Sequence, residues 1–239
     1  MVSGATTSSK KRKLGQRDGL WDMIVDNDDI CFKHVLPRLN QIDVKFLYDV
    51  NTETRALITR SSRKEELRKA FKVEEMSSIS TLEFAWDEIE WGTKARNGRA
   101  RDQAWFCSRV AKTNKLELLK WAREVKNCDW DAKTSGAAAY HGNLEMAKYC
   151  VANGCPVNEL ACARAAGNGD LECLKYLHED AKARWTSSSI KTVVDRIRFT
   201  FFGNEKRLEC LRYLLDNDCP LGDFSRERLL RFVANGGFE

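Results

Sequence analysis

The sequence predicts an all-α solenoid of helix–turn–helix repeats with a small helical cap at its N-terminal end. Three observations carry this. First, a phrase recurs: L-E-L-L-K-W-A at Leu116, L-E-M-A-K-Y-C at Leu144, L-E-C-L-K-Y-L at Leu171 and L-E-C-L-R-Y-L at Leu208. A weaker copy, L-E-F-A-W, starts at Leu82, and Phe238-Glu239 falls where a further copy would begin, so the steps are 34, 28, 27, 37 and 30 residues. Self-similarity at a fixed period of about 20 to 50 residues marks a stacked repeat. Second, apolar residues within each phrase fall at spacings of three and four, as in Leu171, Leu174 and Leu177, which is the period of a helix. Third, glycine and proline follow those runs, as in Asn153-Gly154-Cys155-Pro156, where a helix must stop.

Each repeat has an internal order. Thr134-Ser135 precedes a small-residue run, Gly136 to Tyr140, and His141-Gly142-Asn143 breaks it before the second run, Leu144 to Ala152. The next repeat runs from Leu160 to Ala166, breaks at Gly167-Asn168-Gly169-Asp170 and resumes at Leu171 to His178. The first helix is Ala-rich, which allows close approach of its neighbours; the second carries larger residues that wedge between layers. The step from Leu171 to Leu208 is longer than the others. Thr186-Ser187-Ser188-Ser189 supplies an N-cap cluster there, and Ile190, Val193, Val194, Ile197, Phe201 and Phe202 predict a lengthened first helix. At the other end, either Ser225–Ala234 caps the open end of the stack or the chain is a truncated gene product. Ser80 or Thr81 is the expected cap of the helix at Leu82.

These features resemble ankyrin repeats of a shortened kind. Gly142-Asn143-Leu144-Glu145 and Gly169-Asp170-Leu171-Glu172 carry the resemblance, together with the connectors Asn153-Gly154-Cys155-Pro156, Asp218-Cys219-Pro220 and the variant Cys128-Asp129-Trp130. The T-P-L-H signature of the first helix is absent. The resemblance covers about residues 80–239 and implies a protein-binding module. Candidate partner-binding residues, chosen by their place in the connectors, are Asp129, Trp130, Asp131, Lys133, Val157, Asn158, Glu159, Leu221 and Asp223.

A different segment spans residues 20–79. Helical spacing runs through Phe32, Val35, Leu36 and Leu39, and Asn40 to Asp43 reads as a turn with Asp43 as the next N-cap. The order resembles an F-box: Ile30, Val35, Leu36 and Leu39 on one helix, Asp43, Val44 and Leu47 on the next, then Val50-Asn51, Arg55 and Leu57-Ile58. It departs from that family where Asp26-Asn27 replaces the leading Leu-Pro and Thr54 replaces the Trp. The resemblance implies that Ile30, Val35, Leu36, Leu39, Val44 and Leu47 contact the adaptor of a cullin-type ubiquitin ligase, with the repeats as substrate receptor. The plainer alternative is a cap on the stack. Ser61–Lys69, with alternating charge, predicts a solvated helix with i,i+4 pairs.

Charge is uneven. Of 40 Lys and Arg, five lie in residues 1–17 (Lys10, Lys11, Arg12, Lys13 and Arg17) with no acid, which leaves 35 basic against 35 acidic residues. The body is neutral and the whole excess sits in residues 1–17, within a Ser/Thr-rich tail, residues 1–19, expected to be disordered. Lys10, Lys11, Arg12 and Lys13 form a basic cluster of the nuclear-import kind, placing the protein in the nucleus, the cytoplasm or both. A neutral body argues against nucleic-acid binding; the loop of Gly92 to Arg101, with Lys94, Arg96 and Arg99, is the only other basic stretch. No run reaches the roughly 18 apolar residues of a membrane span.

Chemistry-bearing motifs are scarce. Three histidines occur, His34, His141 and His178, and none sits in a nucleophile or metal motif. Nine cysteines without C-x₂-C spacing fit buried thiols in a reducing compartment better than zinc ligands or disulfides. No enzyme activity, metal or cofactor is expected. Trp91, Trp130 and Trp185 lie near connectors and read as wedges between repeats or, alternatively, as interface anchors. The alternatives to a ligase receptor are a plain ankyrin scaffold and a nuclear regulator whose tail touches nucleic acid.

Overall fold

The computed structural model describes residues 28–68, 72–94, 98, 100–200 and 204–237. The tail with Lys10–Lys13, the loop residues Arg96 and Arg99, and Phe201, Phe202, Phe238 and Glu239 lie outside them. The described residues are predominantly helical, and they include no strand beyond one isolated bridge between Lys94 and Ala100. Contacts divide the chain into two compact parts, Met1–Phe71 and Lys72–Glu239. The division falls earlier than the expected 79/80 boundary. Val73 and Met76 are buried, the short turn Val73–Glu75 packs on the helix Gln103–Ala111, and Glu74 pairs with Arg109 at 3.1 Å.

The first part is a small helical bundle. Three turns, Asp28–Ile30, Cys31–Val35 and Leu36–Arg38, lead into α1 (Gln41–Val50) and α2 (Thr52–Arg60). The cap of α1 is Asn40, not Asp43: Asn40 Oδ1 accepts from the Ile42 and Asp43 N–H groups at 2.8 and 2.9 Å. Asp43 stands inside the first turn, where its charge meets the positive end of the helix dipole. Asn51 and Thr54 form a reciprocal box that starts α2. The position where the F-box pattern has Trp is thus occupied by a buried capping residue. Cys31, Leu36, Val44, Leu57 and Ile58 form the core, with Val35, Leu39 and Leu47 packed against it. Ser62–Arg68 forms tight 3₁₀ turns rather than the expected α-helix. There Arg63 bridges to Glu66 at 2.6 Å, three residues on, and donates to the Leu36 and Leu39 carbonyls.

The second part is the solenoid. It opens with α3 (Ile79–Glu88), capped by Ser78 rather than by Ser80 or Thr81; Thr81 closes the capping box from inside. Four helix pairs follow: α4 (Gln103–Ala111) with α5 (Leu116–Lys120), α6 (Ala132–Tyr140) with α7 (Leu144–Ala152), α8 (Glu159–Asn168) with α9 (Leu171–Lys175), and α10 (Ser187–Phe199) with α11 (Glu205–Asp216). A single helix, α12 (Arg226–Ala234), ends the described stack, burying Leu229, Phe232 and Val233. Both α5 and α9 continue into one wide π turn, Trp121–Val125 and Tyr176–Asp180.

First helices stack on first helices: α4 meets α6, α6 meets α8, and α8 meets α10. Small side chains allow it, because Thr134 to Ala139 are all buried in α6, as are Ala161, Cys162, Ala163, Ala165, Ala166 and Gly167 in α8. Gly167 therefore belongs to the helix, not to the break that follows. The turn is Gly169-Asp170, with Gly169 at φ +83°, a left-handed conformation that glycine reaches without steric cost. α10 is lengthened as expected, to 13 residues, and Thr186 caps it by accepting from the Ser188 N–H at 3.3 Å. All nine cysteines are buried thiols.

Candidate protein-binding face

The face of the stack formed by the first helices is built from one outward stripe per helix. Residues three and four apart share a helix face, so the stripes are Trp105–Arg109–Lys112, Lys133–Gly136–Tyr140, Leu160–Arg164–Gly167 and Ser188–Thr192–Arg196. Counted back from the recurring Leu-Glu, Lys112, Tyr140 and Gly167 occupy one row, and Arg109 and Arg164 another. These side chains differ from repeat to repeat, while the buried ones in α6 and α8 are all small.

The rows converge. The Arg196 guanidinium lies over the Tyr140 ring at 5.9 Å from its centroid, although a whole repeat separates their helices. Gly167 stands in the Tyr140 row on the intervening helix, and its missing side chain leaves the room: a Cβ there would come within 2.7 Å of Thr192 and 3.6 Å of Arg196. Likewise a Cβ on Gly136 would come within 2.6 Å of Arg164 Nη1. Tyr140 and Leu160 remain exposed, at 44% and 40%. Burial holds the Lys112 ammonium below the usual lysine range, aided by the like charges of Arg109 and Arg164. Burial also lowers Arg164.

The connectors deliver the first-helix N-termini. Asp131 caps α6 by accepting from the Lys133 N–H at 3.0 Å, and its carbonyl accepts from the Cys155 thiol at 3.5 Å. The Cys219 thiol donates to the Thr186 carbonyl in the same way. Of the sequence-predicted connector residues, Asp129, Lys133, Glu159 and Asp223 face solvent. Val157 and Leu221 are half-buried. Asn158 stands at an N-cap but caps nothing, and its Oδ1 is buried without a hydrogen-bond partner. Trp130 is half-buried, edge-on to Tyr149 at 6.0 Å with Arg123 4.1 Å over its ring. Trp185 repeats the contact with Tyr213 at 6.0 Å and stacks on His178 at 3.4 Å. Trp91 packs on Trp86 at 4.4 Å. All three tryptophans thus pack against neighbouring rings.

The connectors were legible in the sequence; Lys112, Tyr140, Arg164 and Arg196 were not singled out. For Lys112, Tyr140 and Arg164 the signal was available as the row positions before each Leu-Glu; Arg196, on the lengthened helix, falls outside those rows. In the N-terminal part, Leu36 and Val44 lie in the core with less than 3% of their surface exposed, so they are unavailable to a partner in the folded state. Ile30, Val35, Leu39 and Leu47 are only partly exposed. The apolar side chains that α1 does present are Phe46 and Val50, at 36% and 51%.

Among the described residues no group of three His, Cys, Asp or Glu side chains is placed to hold a metal ion, and no helix is long and apolar enough to cross a membrane. Cys107 and Cys128 share a hydrogen bond that, with burial, pushes the Cys107 thiol up; Cys150 is raised in the same way by Cys155.

Comparison with known families agrees with the architecture. Residues 137–178 match the family model for ankyrin repeats (many copies). That stretch runs from inside α6 to the wide turn after α9 and holds Tyr140, Arg164 and Gly167. No curated protein and no solved structure matches the chain. Fold and match define an ankyrin-like helical solenoid, a class that serves as a protein–protein interaction module.

Proposed function

We propose that this chain is a non-catalytic recognition module that holds a protein partner on its first-helix face and the connector tips beside it. The observation that carries the reading is the contrast within the central first helices, α6 and α8: a buried side of small residues against an outward stripe that changes from one to the other. Constancy inside serves stacking, and variety outside has no role in stacking. Exposed aromatic and arginine side chains at the centre of such a face are the residue types that dominate binding energy at interfaces.

The test is site-directed photocrosslinking in the full chain. A photoreactive residue at Lys133, Tyr140 or Glu159 should capture a partner that positions Glu117 and Glu172, exposed on the second helices, do not. Equal capture from both faces would refute the assignment.

A second reading concerns the N-terminal bundle. Val50 is half exposed on α1, and a cullin-ligase adaptor would dock on the apolar side chains of that helix. Loss of adaptor pull-down in a Phe46→Asp, Val50→Asp variant, with helicity unchanged, supports a substrate-receptor role. Absence of adaptor binding by the intact chain leaves a scaffold. Nuclear import through Lys10–Lys13 is a separate proposal, tested by replacing the four residues with Ala and following the protein's location.

A further inference from the structure

We propose that Lys112, Arg164 and Arg196, gathered around Tyr140, form an anion-recognition site that takes the carboxylates of an acidic segment in a protein partner. The site deepens the recognition reading above and rests on it.

Four successive first-helix repeats contribute. Lys112 follows α4, Tyr140 ends α6, Arg164 lies on α8 and Arg196 on α10. Two glycines lie under the gathering: a Cβ at Gly136 would meet the Arg164 guanidinium, and one at Gly167 would meet Thr192, one turn before Arg196. Ion-pair accounting separates these cations from their neighbour. Arg109, one turn before Lys112, is paired with Glu74 at 3.1 Å. Among the described residues no carboxylate lies within 4.0 Å of Lys112, Arg164 or Arg196, and Asp195, next to Arg196 in sequence, makes no such pair.

Arg164 is half-buried, with Lys112 and Arg196 exposed on either side of it, and a half-buried guanidinium without a paired carboxylate is costly. Packing alone gives no reason to place them over two glycines. A carboxylate entering the cluster would replace lost hydration with charge-assisted hydrogen bonds, and a guanidinium matches it with two parallel donors. Exposed Leu160, one turn before Arg164 on the same stripe, and the Tyr140 ring offer apolar contact to the flanking residues of an extended peptide. Nucleic acid fits less well. Affinity for a phosphate backbone comes from many clustered cations, whereas outside residues 1–17 the chain has 35 basic and 35 acidic residues.

The experiment is fluorescence anisotropy with the full chain and a fluorescein-labelled Glu/Asp-rich peptide. An Arg164→Gln variant should bind about tenfold more weakly, as expected when one partner of a desolvated charge pair is removed. Arg164→Lys should fall between, because it keeps the charge and loses the fork, and the Lys112→Gln, Arg196→Gln variant should also weaken binding. Far-UV circular dichroism and a melting curve confirm that each variant is folded. Replacing Lys10, Lys11, Arg12 and Lys13 with Ala should leave affinity within about twofold, because exposed tail charges contribute little to a desolvated site. No binding by the intact chain, undiminished binding by the folded face variants, or loss of binding in the tail variant alone each overturns the proposal. So does a single-stranded oligonucleotide that displaces the peptide and binds with a steep salt dependence. A partner captured at Lys133 and Glu159 that the acidic peptide does not displace would leave the recognition reading standing and remove only the acidic segment.

Discussion

The second helices of the solenoid come in two kinds that alternate along the stack. Those starting at Leu116 and Leu171 end in a π turn, closed by Lys126 N–H to Trp121 O at 3.3 Å and Ala181 N–H to Tyr176 O at 3.0 Å. Those starting at Leu144 and Leu208 stay α-helical to their ends, at Ala152 and Asp216. Between the central repeats the difference traces to one residue. From the phrase's Leu to the next N-cap is 15 residues in the first kind (Leu116 to Asp131, Leu171 to Thr186) and 14 from Leu144 to Asn158, whereas the last helix, 17 residues from Leu208 to Ser225, takes up its extra length in the loop after Asp216. A π turn accommodates one residue more than an α turn, so the wide turn absorbs the insertion and leaves the next first helix in register.

The two kinds also divide labour. The π-turn helix and its connector supply Glu124 and Trp130, or Glu179 and Trp185; the following α-type helix supplies Tyr149 or Tyr213. Each tyrosine donates its hydroxyl to the glutamate, at 3.0 and 2.5 Å, and takes the tryptophan on its ring edge. Lys120 and Lys175 stand over the same rings at 5.6 and 6.0 Å. Repeats are thus joined in pairs. The junction after the α-type helix at Leu144 lacks the clasp, with Val157 before the N-cap in place of the tryptophan and Ala152 in place of the glutamate.

The largest effect expected from this difference is at the tryptophan position. Trp130→Ala should cost about 3 kcal/mol, in the range for loss of a large aromatic from a packed site. Asn158→Ala, at the junction without the clasp, should be within about 0.5 kcal/mol of neutral, since it removes a buried oxygen without a partner. Urea denaturation of the two variants checks this, and equal losses would dissolve the distinction.

A smaller effect concerns the left-handed residue that ends each second helix. The π-turn kind uses Asn127 and Lys182, at φ +51° and +53°; of the α-type helices the one at Leu208 uses Asp218 at +55° and the one at Leu144 uses Gly154 at +76°. Lys182→Gly should stabilise by about 0.5–1 kcal/mol and Gly154→Ala should destabilise by a similar amount. No atom lies within 4 Å of a Cβ added at Gly154, so backbone conformation alone sets the cost. A melting-temperature shift of the opposite sign in either variant would contradict this.

The smallest effect is on pH dependence. Burial, then the Glu124 hydrogen bond, raises the Tyr149 phenol to about 12 from 10.0. A folded-state value above the unfolded one gives a contribution that is complete below about pH 10 and is lost as pH climbs towards 12. Tyr149→Phe should therefore flatten the fall of the urea midpoint over that window relative to the parent chain. An unchanged slope would show that the clasp does not couple to the phenol's proton.

Much of this was legible along the chain. The recurring Leu-Glu phrase located all four complete helix pairs, and Thr186 announced both the start and the lengthening of α10. The cap positions were less legible. Asn40 displaced Asp43, and Ser78 displaced Ser80 and Thr81, because several adjacent Asn, Asp, Ser or Thr residues compete for one N-cap and only backbone geometry chooses. Gly167 read as a helix break, yet its value in the stack is the absence of a side chain. Leu36 and Val44 read as a contact surface by resemblance, and packing placed them in the core.

The sequence by itself determined the repeat, its all-α class, the small-residue seam of the first helices and the neutral body, because these depend on periodicity and composition within one helix or turn. Tertiary structure decided which outward residues meet. Tyr140 and Arg196 lie 56 positions apart and come together across an intervening helix, a contact set by stacking that no local spacing encodes. It also decided that one extra residue per connector becomes a π turn, because the next helix must land in register on its neighbour.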